Sequence, residues 1–82
     1  MIWFVYVLEC VDGTLYTGVS THPDRRVHDH NHTSKGAKYT RGRRPVKLLW
    51  AKACQDRTHA QGLEVKIKSL NREQKLAYIS YK

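Results

Sequence analysis

Eighty-two residues, with fifteen Lys and Arg against seven Asp and Glu, carry a net charge of +8. A chain of that length supports one core, built as a single sheet with a few covering helices, and leaves little room for a second module, so residues 1–82 are read as a single domain. The positive surplus points to a polyanionic partner, and two isolated cysteines without a C-x-x-C pair exclude a disulfide-built secreted scaffold.

The first element is a strand over residues 2–10. Ile2, Trp3, Phe4, Val5, Tyr6 and Val7 are β-branched or aromatic and show no polar alternation, the pattern of a strand covered on both faces, so helices are expected on both sides of the sheet. The apolar stretch from Met1 to Leu8 is too short to span a membrane and has neither a basic flank nor a small-residue cleavage site. A soluble, cytoplasmic protein with no membrane partner is the expectation. The loop Val11-Asp12-Gly13 leads to a second strand over 14–20. If the loop has three residues with Gly13 left-handed, Cys10 pairs with Thr14, Tyr6 lies opposite Gly18, Tyr16 lies opposite Leu8, and both phenols share a face. A two-residue Asp12-Gly13 turn instead sends them to opposite faces.

Pro23 suits the first position of a helix and Asp24 its first turn, so a helix is expected to about His32. Arg26 and His30, four apart, share one side of it. Thr33 to Lys52 then carries seven cations, Lys35, Lys38, Arg41, Arg43, Arg44, Lys47 and Lys52, and no carboxylate. With Gly36, Gly42 and Pro45 it reads as a basic, flexible loop that tracks phosphates, and Lys35, Lys38, Arg41, Arg43 and Arg44 are the candidate nucleic-acid contacts. A third strand is expected over 46–54. Asp56 caps a second helix whose Ala60, Leu63, Ile67 and Leu70 recur at helical spacing, and Asn71 with Gln74 opens a third through Leu76 and Ile79.

This order of elements, with Val5-Tyr6-Val7 and Tyr16-Thr17-Gly18 standing at the Gly-Ile-Tyr and Tyr-Ile-Gly segments, resembles the GIY-YIG nuclease family, and in particular its small stand-alone bacterial branch. Arg25-Arg26-Val27 with His30-Asn31, and Leu63-Glu64-Val65-Lys66-Ile67-Lys68, look like its further signature segments. The resemblance implies an α/β (α+β) domain with a three-stranded antiparallel sheet flanked by helices, acting as a metal-dependent endonuclease on DNA, with RNA a possible substrate. It implies a single Mg²⁺ or Mn²⁺ held by Glu64, with Arg26 on the scissile phosphate, Tyr6 as base, Tyr16 as organiser, and His30 positioning the attacking group or relaying a proton. Against these stand plainer roles: core tyrosines with bonded hydroxyls, a surface Glu64–Lys68 pair, and His28 with His32 as a further pair lacking other ligands.

With no recognition domain attached, structure-selective rather than base-selective cleavage is expected, as in DNA repair or processing. A monomer is favoured. Valine in place of the glycine of the first segment, and Asn71 spent as a helix cap, suggest weak or strongly substrate-dependent activity. The rival readings are a nucleic-acid-binding module of the same fold that does not cut, and a small basic ribosome-associated protein.

Overall fold

The computed structural model describes residues 1–80. Its elements are β1 (Trp3–Glu9), β2 (Leu15–Ser20), α1 (Pro23–His32), α2 (Lys38–Arg41), β3 (Lys47–Cys54), α3 (Arg57–Lys68) and α4 (Arg72–Ser80). The three strands form one antiparallel sheet in the order β2-β1-β3. The central strand is the most apolar, and Val5, Tyr6, Val7 and Leu8 are all buried because each face of β1 is covered.

The hairpin takes the longer loop. Cys10 and Thr14 are joined through Cys10 N–H to Thr14 O at 2.9 Å, and Gly13 stands at φ +83°. Tyr6 consequently pairs with Gly18 and Leu8 with Tyr16, which sets both phenols on the same side. On that side Tyr6, Leu8, Cys10 and Val46 form a core with Tyr16, Val27 and Leu48. On the other, Val5, Val7, Leu15 and Cys54 pack against Ala60 and Ile67 of α3, with Leu76 and Ile79 of α4 at the margin. Helices thus cover both faces, and both cysteines are buried and free.

Local caps form where the residue types call for them. Asp56 accepts from His59 N–H at 2.8 Å to start α3. Asn71 and Gln74 exchange hydrogen bonds at 3.0 and 2.8 Å to start α4.

Two features depart from the sequence expectation. β3 carries a bulge: Val7 faces Trp50 while Leu8 faces Leu48, leaving the exposed Leu49 as the extra residue on this edge strand. The basic segment is not loop throughout. It contains α2, the Arg41 guanidinium donates to Ser34 O at 2.9 Å, and Asn31 of α1 grips the main chain of Val46 with both ends of its amide at 3.0 and 2.7 Å. No helix among the described residues is long and apolar enough to cross a membrane.

Candidate active site

The centre of the site is the buried contact between Tyr6 of β1 and His30 of α1, with Tyr6 Oη 3.1 Å from His30 Nε2. Both residues are almost fully buried. Tyr16 of β2 places its ring edge-on to His30, centroids 5.2 Å apart, and stacks on Tyr39 of α2 at 5.9 Å. Arg26, one turn before His30, donates to Asp29 Oδ2 at 3.4 Å and to Lys35 O at 3.0 Å. Its guanidinium also lies beside the Tyr6 phenol, while Arg25 faces solvent.

Glu64 comes from the opposite layer, on α3. Its carboxylate is partly buried, pairs with Lys68 at 3.3 Å, and is close enough for its charge to act on the Tyr6 phenol. The structure therefore gathers Tyr6, Tyr16, Arg26 and His30 into one contact set, with Glu64 at its border.

The electrostatics divide these groups. Burial raises the Tyr6 pKa above the ordinary phenol value, against the pull of Arg26 and with help from the charges of Tyr16 and Glu64. The resting Tyr6 is a neutral phenol. Burial, with Arg26 and Arg44 nearby, lowers the His30 pKa to about 4, and Asp29 offsets only part of this. His30 is neutral at physiological pH, so it enters the site without a charge of its own.

Among the described residues no three His, Cys, Asp or Glu side chains come together. That donor set does not suit Zn²⁺, which takes three or four protein ligands. One carboxylate at a partly open border does suit Mg²⁺ or Mn²⁺, ions that keep much of their water shell. His28 and His32 lie with rings 4.8 Å apart on the exposed side of α1, away from the Tyr6 contact set.

The basic residues separate into two groups. Lys35, Lys38 and Arg41 are exposed. Arg43 stacks on Tyr39 with its guanidinium carbon 4.1 Å from the ring centroid, and is tied to Asp12 at 3.1 Å. Arg44, expected on a phosphate, instead donates through Nε to His30 O and through Nη2 to Thr33 O. The carbonyls at the end of α1 have no helical partners and sit at the negative end of the dipole, and the guanidinium fork answers both demands. From the segment between α2 and β3, Arg44 thus binds the C-terminal end of α1.

A family model for the GIY-YIG catalytic domain matches residues 2–77. The chain belongs to the GIY-YIG family. It is 53% identical over 76 residues to the UPF0213 protein of Streptococcus agalactiae, covering 93% of this chain and 85% of that one. It is 52% identical over 69 residues to the UPF0213 protein of Desulfotalea psychrophila, matching 84% of this chain and 63% of that longer protein. The solution NMR structure of the UPF0213 protein of Bacillus halodurans aligns over the whole of this chain and 86% of its own, with a TM-score of 0.64 at 44% identity. The solution NMR structure of a protein from E. faecalis aligns with a TM-score of 0.69 at 40% identity, over 99% of this chain and 85% of that one.

Membership places this GIY-YIG domain among nucleases, with nucleic acid as the class of substrate. With the phenols as reference, the Gly-Ile-Tyr triplet falls on Phe4-Val5-Tyr6, one residue before the segment read from the sequence. Phenylalanine rather than valine therefore takes the glycine position. Thr40 and Ala37 carried no sequence signal, yet both reach His30: Thr40 Oγ1 lies 3.0 Å from Nδ1, and Ala37 N–H donates to the same atom at 3.1 Å. Helical spacing on α1 finds neither, because both lie beyond its end.

Proposed function

We propose that this protein is an endonuclease that hydrolyses phosphodiester bonds in DNA with one Mg²⁺ or Mn²⁺ ion, choosing its target by structure rather than base sequence, in DNA repair or processing. The observation that carries the proposal is the Tyr6–His30 contact at 3.1 Å, with Arg26 beside the phenol and the Glu64 carboxylate within electrostatic reach. Neutral burial alone would call for a hydrogen-bonded phenol in a core. It would not call for a guanidinium beside that phenol with a carboxylate charge also acting on it.

In this reading Glu64 would hold the ion, whose positive charge, when bound, would ease proton loss from the attacking group and offset the negative charge of the phosphate. Arg26 donates its planar fork to non-bridging phosphate oxygens, where negative charge grows in the transition state. Tyr6, having given its proton to solvent, takes the proton of the attacking water as the new oxygen–phosphorus bond forms. The bond to the leaving oxygen breaks, and solvent protonates that oxygen. Tyr16 packs against His30 and keeps the aromatic wall in place. Lys35, Lys38 and Arg41 draw in the backbone of the substrate.

The test is a panel of labelled duplex, single-stranded, flap and branched DNA, with an RNA counterpart, assayed with and without Mg²⁺ or Mn²⁺. Metal-dependent cleavage that vanishes in Glu64→Ala, while binding persists, is the expected result. Binding without cleavage by the unaltered protein on every substrate would establish the non-cutting module instead.

A further inference from the structure

The surroundings of His30 settle which ring nitrogen carries the proton. Ala37 N–H donates to Nδ1 at 3.1 Å. A main-chain N–H can only donate, so a proton on Nδ1 would set two N–H bonds head to head. The single proton of the neutral ring then belongs to Nε2, whose neighbour at 3.1 Å is the Tyr6 oxygen. His30 donates and the phenol oxygen accepts. The phenol's own proton is turned away from His30.

The segment that delivers Ala37 is built to stay there. Gly36 lies flat against α1, where a Cβ would come within 2.6 Å of His30 Cα and 2.8 Å of Asp29 O. Thr40 is fully buried, and its hydroxyl reaches both His30 Nδ1 at 3.0 Å and Ala37 O at 2.8 Å. That hydroxyl can rotate toward either acceptor, whereas the Ala37 N–H cannot.

We propose that residues 36–40 form a tautomer lock, in which Ala37 N–H sets His30 as an Nε2–H donor to Tyr6 and Thr40 Oγ1 secures that arrangement. Thr40 is then a positioning residue, and His30 relays no proton at any step. The inference rests on Tyr6 acting as the base, since a donor held on its oxygen favours the phenolate that the reaction requires. No proton passes to the ring, because Nε2 already bears one and Nδ1 faces a donor.

The experiment is nitrogen-15 NMR of the histidine side chains in the intact protein at neutral pH, which reads the tautomer without any turnover. Expected for His30 is a bare, hydrogen-bonded Nδ1 and a protonated Nε2. An Nδ1–H tautomer or an imidazolium would overturn the lock. Thr40→Val should move the Nδ1 resonance toward that of a free nitrogen and lower kcat about 5- to 30-fold with KM unchanged, the consequence of losing one buried hydrogen bond. Thr40→Ser should restore both. An Nδ1 resonance unmoved in Thr40→Val would remove Thr40 from the lock, whatever the rate. Absence of cleavage on every substrate would defeat the nuclease reading, while the spectrum of the unaltered protein would still decide the tautomer.

Discussion

The phenol of Tyr6 occupies the space that a side chain at Gly18, its cross-strand partner, would need: a Cβ there would lie 2.5 Å from the Tyr6 oxygen and 2.6 Å from Cζ. The glycine of Tyr16-Thr17-Gly18 is thus a seat for the tyrosine of the neighbouring strand. One segment supplies the phenol, and the other makes room for it.

Gly18→Ala should therefore dislodge Tyr6 rather than merely stiffen β2. The expected loss is about 1 to 3 kcal/mol, typical of overfilling a packed site, together with loss of cleavage. Denaturant unfolding of Gly18→Ala, Tyr6→Ala and the double variant checks it. The double variant should be more stable than the sum of the single losses allows, by about 0.5 to 3 kcal/mol.

Arg26 should separate catalysis from folding. Its side chain is partly exposed and, besides lying beside the Tyr6 phenol, makes an ion pair with Asp29 and a bond to the Lys35 carbonyl, so Arg26→Ala is expected to cost about 1 kcal/mol of stability. Removal of a preorganised donor to the phosphate should lower turnover by about 100- to 1,000-fold. Arg25→Ala is the exposed control and should retain activity. Equal losses at both positions would mean that general positive charge, not a placed fork, serves the reaction. Arg26→Lys should recover part of the rate.

His30 makes stability depend on pH in a defined window. Its folded pKa lies at about 4, below the ordinary 6.5, so between those values the unfolded chain binds a proton that the native state refuses. The stabilising contribution is complete above pH 6.5 and is lost as the pH falls toward 4. Urea midpoints measured across this range should fall more steeply for the unaltered protein than for His30→Asn, which has no titrating ring. Parallel curves would show that position 30 does not contribute.

The basic segment should show two kinds of arginine. Neutral substitutions at Lys35, Lys38 and Arg41 should leave stability nearly unchanged, and each lost phosphate contact should reduce the slope of log affinity against log salt by about 1. Arg44→Gln should do the opposite. It leaves the carbonyls of His30 and Thr33 short of a donor and should destabilise the fold with little effect on that slope. Salt titrations of DNA binding beside melting curves distinguish the two.

What could be read from the chain alone was set by neighbours a few residues apart. The three-residue loop and the parity of the strands bring Tyr6 opposite Gly18 and the two phenols to one face, and Asp56 and the Asn71–Gln74 pair cap helices whose N–H groups lie three residues away. Arg26 and His30 share a side of α1 through helical geometry alone. The commitments that complete the site span longer intervals and depended on packing. Arg44 turns to the end of α1 because folding brings that helix's unpaired carbonyls to it, and composition cannot tell such a guanidinium from one awaiting phosphate. Ala37 and Thr40 reach His30 only because residues 36–40 fold back against α1, and Glu64 approaches Tyr6 only because α3 packs across the sheet from it. Local hydrogen-bonding and side-chain periodicity are properties of the sequence, whereas the partner of a long polar side chain is decided by which unsatisfied groups the finished core leaves within its reach.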